Sequence, residues 1–280
     1  MNVRGKLIDL SVPRVMGIIN ITPDSFHDGG KFTDPAAQLR HAEKMIHEGA
    51  DLLDIGGYSS RPGATNISEN EEASRVLPAI ERIHKAFPHI HISIDTFRAG
   101  IAQRGVEAGA SIINDITGGE GDKDMFSTVS ACRVPYILMH MRGTPQNMNT
   151  MTEYSNLIQD IIGYFHPKIA ALHAAGVRDV VIDPGFGFAK TLEQNFELLQ
   201  KLHQLTILGM PILAGLSRKS MIWRTLGTSP EDALPGTIAL QTLALTKGAS
   251  ILRVHDVREA MESIRLLAQL PAQERIHQKH

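Results

Sequence analysis

Short apolar runs of strand length alternate along the chain with amphipathic stretches of helical length. The runs fall at about residues 14–19, 51–55, 90–95, 111–114, 135–140, 179–183, 211–215 and 250–254. The helical stretches fall at about 34–49, 69–86, 97–108, 123–131, 152–175, 191–207, 231–247 and 256–269. In the first of these, Ala37, Leu39, Ala42, Met45 and Ile46 share one face, the spacing of a helix with period 3.6. Asp34 before Pro35 reads as an N-cap, and Gly49 as the stop. Pro167, inside the 152–175 stretch, predicts a kink or break. Eight strand–helix units predict an α/β fold, a single-domain (β/α)8 TIM barrel over 14–270. Residues 1–13 form a short N-terminal extension or hairpin that plugs its bottom, and 271–280 a C-terminal tail. A doubly wound open sheet is the alternative.

The polar residues sharpen this pattern. Strands end in Asn20, Asp54, Asp95, Asn114–Asp115, His140, Asp183 and Arg253 to His255, and the seventh leads through Gly215 to Ser217, Arg218 and Lys219. Strand beginnings are plainer. In a barrel these ends converge on the C-terminal rim, where barrel active sites lie. The stretch VVIDPGFGFAK, Val180 to Lys190, shows the arrangement best. A buried strand runs out on the carboxylate Asp183, then Pro184, Gly185 and Gly187 open a loop.

Composition adds limits. Net charge is -2, with 30 acidic residues against 28 basic ones, so nucleic acid and anionic membrane are not expected as partners. Cys132 is the one cysteine, which excludes an internal disulfide and a cysteine metal cluster. It reads as a small buried residue. No secretory leader or run of about 18 apolar residues is present, and the expected location is the cytoplasm.

The rim carries two kinds of group. Asp95, Asn114 and Asp183 suit an uncharged heterocycle rich in N–H donors, since a carboxylate accepts two parallel bonds from a ring N–H and an exocyclic amine. Lys219 can donate to that ring's carbonyl. Arg253 and His255, two apart on one strand, face the same way and suit an anion, as does Arg61. The alternative for Arg253 is an ion pair with Asp256 or another carboxylate. Two long loops, NITPDSFHDGGKF and GGYSSRPGATNIS, suit lids with glycine hinges. The segment ending in RKS lacks P-loop spacing, GFGF is not a dinucleotide fingerprint, and MHM is not a metal site, leaving His140 structural or pocket-lining. The apolar residues of the last two helices (Ile238, Leu240, Leu243, Leu245, Ile264, Leu267) read as barrel packing.

Eight motifs in order, MGIINITPDSFHDGG, DIGGYSSRPGA, SIDT, INDITGG, MHMRGTPQNM, DPGFGF, GLSRKS and RVHDV, resemble the dihydropteroate synthase family, the folate-pathway enzymes that sulfonamide drugs target. The likeness covers about residues 14–257. It implies a barrel, usually a homodimer, that joins 6-hydroxymethyl-7,8-dihydropterin pyrophosphate to p-aminobenzoate and releases pyrophosphate. By resemblance, Asp95, Asn114, Asp183 and Lys219 bind the pterin, with Met139, Phe188 and Gly215 lining its pocket. Asn20 binds Mg2+ with the pyrophosphate, which Arg61, Arg253 and His255 hold. Ser60, Arg61, Pro62, Phe188, Ser217 and Lys219 surround p-aminobenzoate, and Asp28 stabilises a cationic pterin intermediate. Asp28, Arg253, His255 and Lys219 are the catalytic group. The family's second loop often reads GGESTRPGA, and this chain has Tyr58 and Ser60 where that has Glu and Thr. The implied chemistry is an SN1-like displacement at a CH2 beside an electron-rich ring. Rival readings are a pterin-binding methyltransferase, opposed by the SSRPGA loop, Lys219 and RVHDV, and a non-catalytic pterin-binding protein.

Overall fold

The computed structural model describes residues 1–22, 34–59 and 66–270. Two short antiparallel strands, β1 (Asn2–Val3) and β2 (Lys6–Leu7), turn over Arg4 and Gly5, both at positive φ. Eight parallel strands follow: β3 (Arg14–Asn20), β4 (Leu52–Gly56), β5 (His91–Asp95), β6 (Ile112–Asp115), β7 (Tyr136–Met139), β8 (Val180–Asp183), β9 (Ile212–Ala214) and β10 (Ala249–Val254). They pair in chain order, and β10 closes on β3. The expected barrel is therefore present, and a closed sheet leaves no unpaired edge, unlike the open alternative.

Helices pack outside: α1 (Pro35–His47), α2 (Glu69–Ala86), α3 (Ala99–Ala108), α4 (Met125–Cys132), α5 (Leu157–Ala174), α6 (Leu192–Gln200), α7 (Ser220–Leu226), α8 (Leu234–Thr246) and α9 (Val257–Leu267). Asp34 caps α1 by accepting from the Ala36 and Ala37 amides at 3.3 and 3.0 Å. Gly49 follows at φ 104°, the left-handed stop the sequence predicts.

Strand residues alternate between two cores. One set faces the helices in the large outer core. The other faces the axis, where Met16, Leu52, Ile112, Ile137, Val181, Leu213 and Ile251 form an apolar layer. Val3 and Ile8 of the N-terminal segment join it, so the hairpin plugs the bottom of the barrel.

Two expectations need correction. Helix α5 continues through Pro167, so of the expected kink or break the break is not realised. Pro167 and Gly163, whose carbonyl loses its helical donor, are both exposed, so that carbonyl faces water. Helix α7 was not foreseen, because seven residues from Ser220, after the N-cap Lys219, and stopped by Gly227 at φ 65° show no readable period. Helix α8 buries Thr237, Gln241 and Ala244 against the barrel. Leu240 and Leu245 pack partly buried against the outer core, as the expected barrel packing requires, while Ile238 is half-buried and Leu243 is 39% exposed. Cys132 is half-buried, and burial pushes its thiol up, which leaves it unactivated.

Candidate active site

One inward step above the apolar layer, the barrel axis becomes polar. Counting two residues along each strand from the lower layer reaches Ile18, Asp54, Asn114, Met139, Asp183, Gly215 and Arg253, and β5 contributes Ser93 and Asp95. Strand period alone puts these side chains on one ring. Asn20, Ser217 and His255 lie a further step toward the rim on their segments.

Arg253 organises one half of the ring. Its Nε donates to Asp54 Oδ2 at 2.6 Å and its Nη2 to Asp95 Oδ2 at 2.8 Å. Burial works against the Arg253 charge, but Asp54 and then Asp95 more than offset it and hold the guanidinium above its ordinary pKa. Asp95 is pushed up to about 7, by burial first and by the neighbouring Asp54 second, with Arg253 opposing. Asp54 Oδ2 also accepts from Asn114 Nδ2 at 3.0 Å. That bond fixes the amide with Oδ1 as its remaining acceptor. Asp54 Oδ1 and Ser93 Oγ, at paired positions of β4 and β5, are buried without a hydrogen-bond partner among the described residues.

Asp183 serves the other half. Its Oδ1 accepts from the Gly185 amide at 2.8 Å, and Oδ2 makes no hydrogen bond among the described residues. Burial raises its pKa, while the Gly185 bond and Lys219 oppose. A side chain at Gly215 would come within 3.8 Å of Asp183 Oδ2, so the glycine keeps this acceptor open. Lys219 Nζ sits 4.3 Å from the centre of the Phe188 ring, a cation–π contact. Burial first and Arg253 second lower the Lys219 pKa to about 8. Phe188 belongs to an apolar wall with Ile116, Met139, Met141, Met148 and Ala189, with Phe97 packed against it. A pocket with one apolar wall and a few fixed acceptors suits a flat, N–H-rich ring.

The motif family model that matches residues 16–255 describes a pterin binding enzyme. The chain belongs to the pterin-binding enzyme family. It is 46% identical over 248 residues to a dihydropteroate synthase of Clostridium beijerinckii, covering 88% of this chain and 89% of that relative. The solved Yersinia pestis dihydropteroate synthase, in complex with a sulfonamide drug, superposes with a TM-score of 0.92 at 40% identity, over 96% of this chain and 98% of that one. The Xanthomonas albilineans enzyme with 4-aminobenzoic acid gives a TM-score of 0.88 at 39% identity, over 96% of this chain and 98% of that one.

For a pterin-binding enzyme, the sequence expectations converge well. Asp95, Asn114, Asp183, Met139, Phe188, Gly215, Lys219 and Arg253 meet around the upper axis, and Asn20 ends β3 at the rim. Asp28, Ser60, Arg61 and Pro62 lie outside the described residues. Arg253 is engaged by Asp54 and Asp95, while Asp256 is taken by Arg218 in a bidentate pair of 2.7 and 3.0 Å. The alternative of pairing with a carboxylate is thus realised, with inward partners in place of Asp256. Ser217 Oγ and His255 Nδ1 are 3.0 Å apart, tying the eighth strand's end to the seventh loop.

Asp115, adjacent to Asn114, points away from the axis. It accepts from the Thr117 amide and hydroxyl, the Gly119 amide and the Tyr136 hydroxyl, so it staples the loop after β6. Tyr58, where the family often has Glu, packs edge-on to Phe97 at 5.1 Å and accepts from Gln146 Nε2 at 2.9 Å. It therefore links the loop after β4 to the loop after β7. Two buried groups were missed by sequence reasoning. Asp54 was visible at a strand end, and its inward parity with Leu52 was the available signal. Lys190 gave none, because a lysine after a glycine-rich loop reads as solvated.

Proposed function

We propose that the chain is a dihydropteroate synthase, a transferase of folate biosynthesis. It condenses 6-hydroxymethyl-7,8-dihydropterin pyrophosphate with p-aminobenzoate to give 7,8-dihydropteroate and pyrophosphate. The ring of acceptors formed by Asp95, Asn114 and Asp183 beside the apolar wall of Met139 and Phe188 carries this reading. The pterin's N–H edge would bond Asp183 Oδ2 and Asn114 Oδ1, each charge-assisted bond contributing roughly 1.5–3 kcal/mol. Lys219 would donate to the ring while resting on Phe188.

The leaving pyrophosphate would lie toward Arg253 and His255 at the end of β10, with Asn20 on the adjacent strand β3. Among the described residues no group of three His, Cys, Asp or Glu side chains could hold a metal ion. A single neutral oxygen donor, the Asn20 carboxamide, nonetheless fits Mg2+, which keeps several waters and binds mainly through substrate phosphates. When bound, Mg2+ would offset charge on the phosphate oxygens. The electron-rich ring stabilises positive charge at the CH2 as the C–O bond loosens, an SN1-like path. By resemblance, Asp28 would offset that charge, and Ser60, Arg61, Pro62 and Ser217 would orient p-aminobenzoate. Its aniline nitrogen is a weak nucleophile, so placement matters more than activation. Asp54 and Asp95 hold the Arg253 guanidinium in place, and the half-buried Cys132 offers no activated nucleophile.

The exposed Leu243 of α8, Leu226 of α7 and Leu266 of α9 support a homodimer built on this side of the barrel. Among the described residues no helix is long and apolar enough to cross a membrane, and we assign the enzyme to the cytoplasm. The test is pyrophosphate release on mixing protein, Mg2+ and both substrates. Release that depends on p-aminobenzoate supports the synthase. No release from folded protein that still binds a pterin favours the non-catalytic reading.

A further inference from the structure

The loop between β8 and α6 has a pinned backbone. Gly185, Gly187 and Ala189 all have positive φ, at 70°, 78° and 49°. Alternation of this kind is rare for residues with side chains and needs outside support. The Gly187 amide donates to Asn195 Oδ1 at 2.6 Å, and the Ala189 carbonyl accepts from the Tyr154 hydroxyl at 2.9 Å. At the centre lies Lys190, 9% exposed. Its Nζ is 3.0 Å from the Gly185 carbonyl, 3.0 Å from the Phe188 carbonyl and 3.1 Å from His140 Nδ1. An ammonium group has three donors, and here it meets three acceptors, with no donor left for substrate.

We propose that Lys190 is a positioning residue for the pterin end of the site, clamping the Gly185 and Phe188 carbonyls to His140 and thereby fixing Asp183 and Phe188. The proposal rests on the pterin reading given above. The linkage is short. Gly185 is the residue whose amide holds Asp183 Oδ1, which leaves Oδ2 aimed at the axis. Phe188 is the platform under Lys219. His140 is anchored through its own amide to the Asp183 carbonyl at 2.9 Å. One buried cation therefore sets Asp183 and Phe188, two groups that would touch the ring. Burial lowers the Lys190 pKa to about 7, with Asp183 opposing, and in the ammonium form Nδ1 of His140 is the acceptor, which puts the imidazole proton on Nε2. Burial, then Lys190 and Arg142, hold His140 well below its ordinary pKa, consistent with a neutral acceptor.

The test is Lys190→Met, which keeps the side-chain length and removes all three donors. Binding of 6-hydroxymethylpterin, which carries no pyrophosphate, and of inorganic pyrophosphate with Mg2+ are titrated separately beside a thermal melt. The pterin Kd is expected to rise roughly ten-fold or more with the pyrophosphate Kd changed by less than about two-fold. A folded variant that binds the pterin like the wild type, or that loses both ligands by the same factor, overturns the positioning role. Wild-type protein that fails to bind the pterin overturns the reading of the site, which is seen before any variant is made. If Lys190→Met does not fold, nitrogen NMR of the wild-type histidines decides. An unprotonated His140 Nδ1 at neutral pH that shifts on pterin saturation supports the clamp. A protonated Nδ1, or one that does not respond, overturns it.

Discussion

Asp54→Ala is the substitution that bears most directly on how the polar ring is held. Asp54 is fully buried and its Oδ2 accepts from both Arg253 and Asn114. Removing one partner of a buried ion pair costs about 3–5 kcal/mol, because the other charge is left uncompensated. Two features reduce that here. Arg253 keeps Asp95 at 2.8 Å. Asp54 also has an unpartnered buried oxygen, and relieving such a group returns about 1–3 kcal/mol. The balance is a loss of about 2 kcal/mol. Urea unfolding reads it as a lower midpoint at unchanged slope. The same variant frees the Asn114 amide and lets Arg253 move, so pterin affinity should fall roughly ten-fold, equivalent to about 1.4 kcal/mol. Asp54→Asn retains one acceptor and should fall between the two proteins. Stability within about 0.5 kcal/mol of wild type together with unchanged pterin affinity would refute the reasoning, since Asp54 would then organise neither neighbour.

Other consequences are equally direct. Pterin affinity should fall as pH rises above about 8, where Lys219 loses its charge; near 7 the gain from Asp95, whose proton burial and then Asp54 hold, is opposed by loss of the buried Lys190 charge. Fluorescence titration across pH reads this, and affinity flat across that range contradicts it. For stability the signs differ. The Asp95 contribution is complete below 3.8 and lost as pH rises through about 7, whereas that of Lys219 is complete above 10.5 and lost as pH falls through about 8. Gly185→Ala would place a methyl 2.1 Å from the His140 carbonyl oxygen at φ 70°, so both the melting temperature and pterin binding should drop. Leu243→Glu should give a folded monomer by sedimentation if α8 forms the dimer face, and an unchanged dimer would remove that face from consideration.

The barrel was legible because its signal is redundant. Each strand is a short apolar run, most of them end in or lead directly to a polar residue, and the eight repeats agree. Strand edges fell within a residue of the observed ones, as for 91–95 against the expected 90–95. The ring was partly legible for the same reason: Asp95, Asn114 and Asp183 sit where buried strands stop. What stayed hidden depends on tertiary pairing. Nothing local says that Arg253 reaches across to Asp54, 199 residues away. Nor does local sequence say that Asn114 turns inward while Asp115 turns out to staple a loop. Lys190 was invisible because its three acceptors come from its own loop's fold and from β7's end.

The proposed synthase reads the pterin with an inward ring on β5, β6 and β8. A crystal structure with bound 6-hydroxymethylpterin tests it most directly. The account predicts the ring against Met139 and Phe188, with its N–H edge on Asp183 Oδ2 and Asn114 Oδ1 and Lys219 donating to it. A pterin bound elsewhere, or bound with Asp183 Oδ2 and Asn114 Oδ1 left to water, would contradict the account.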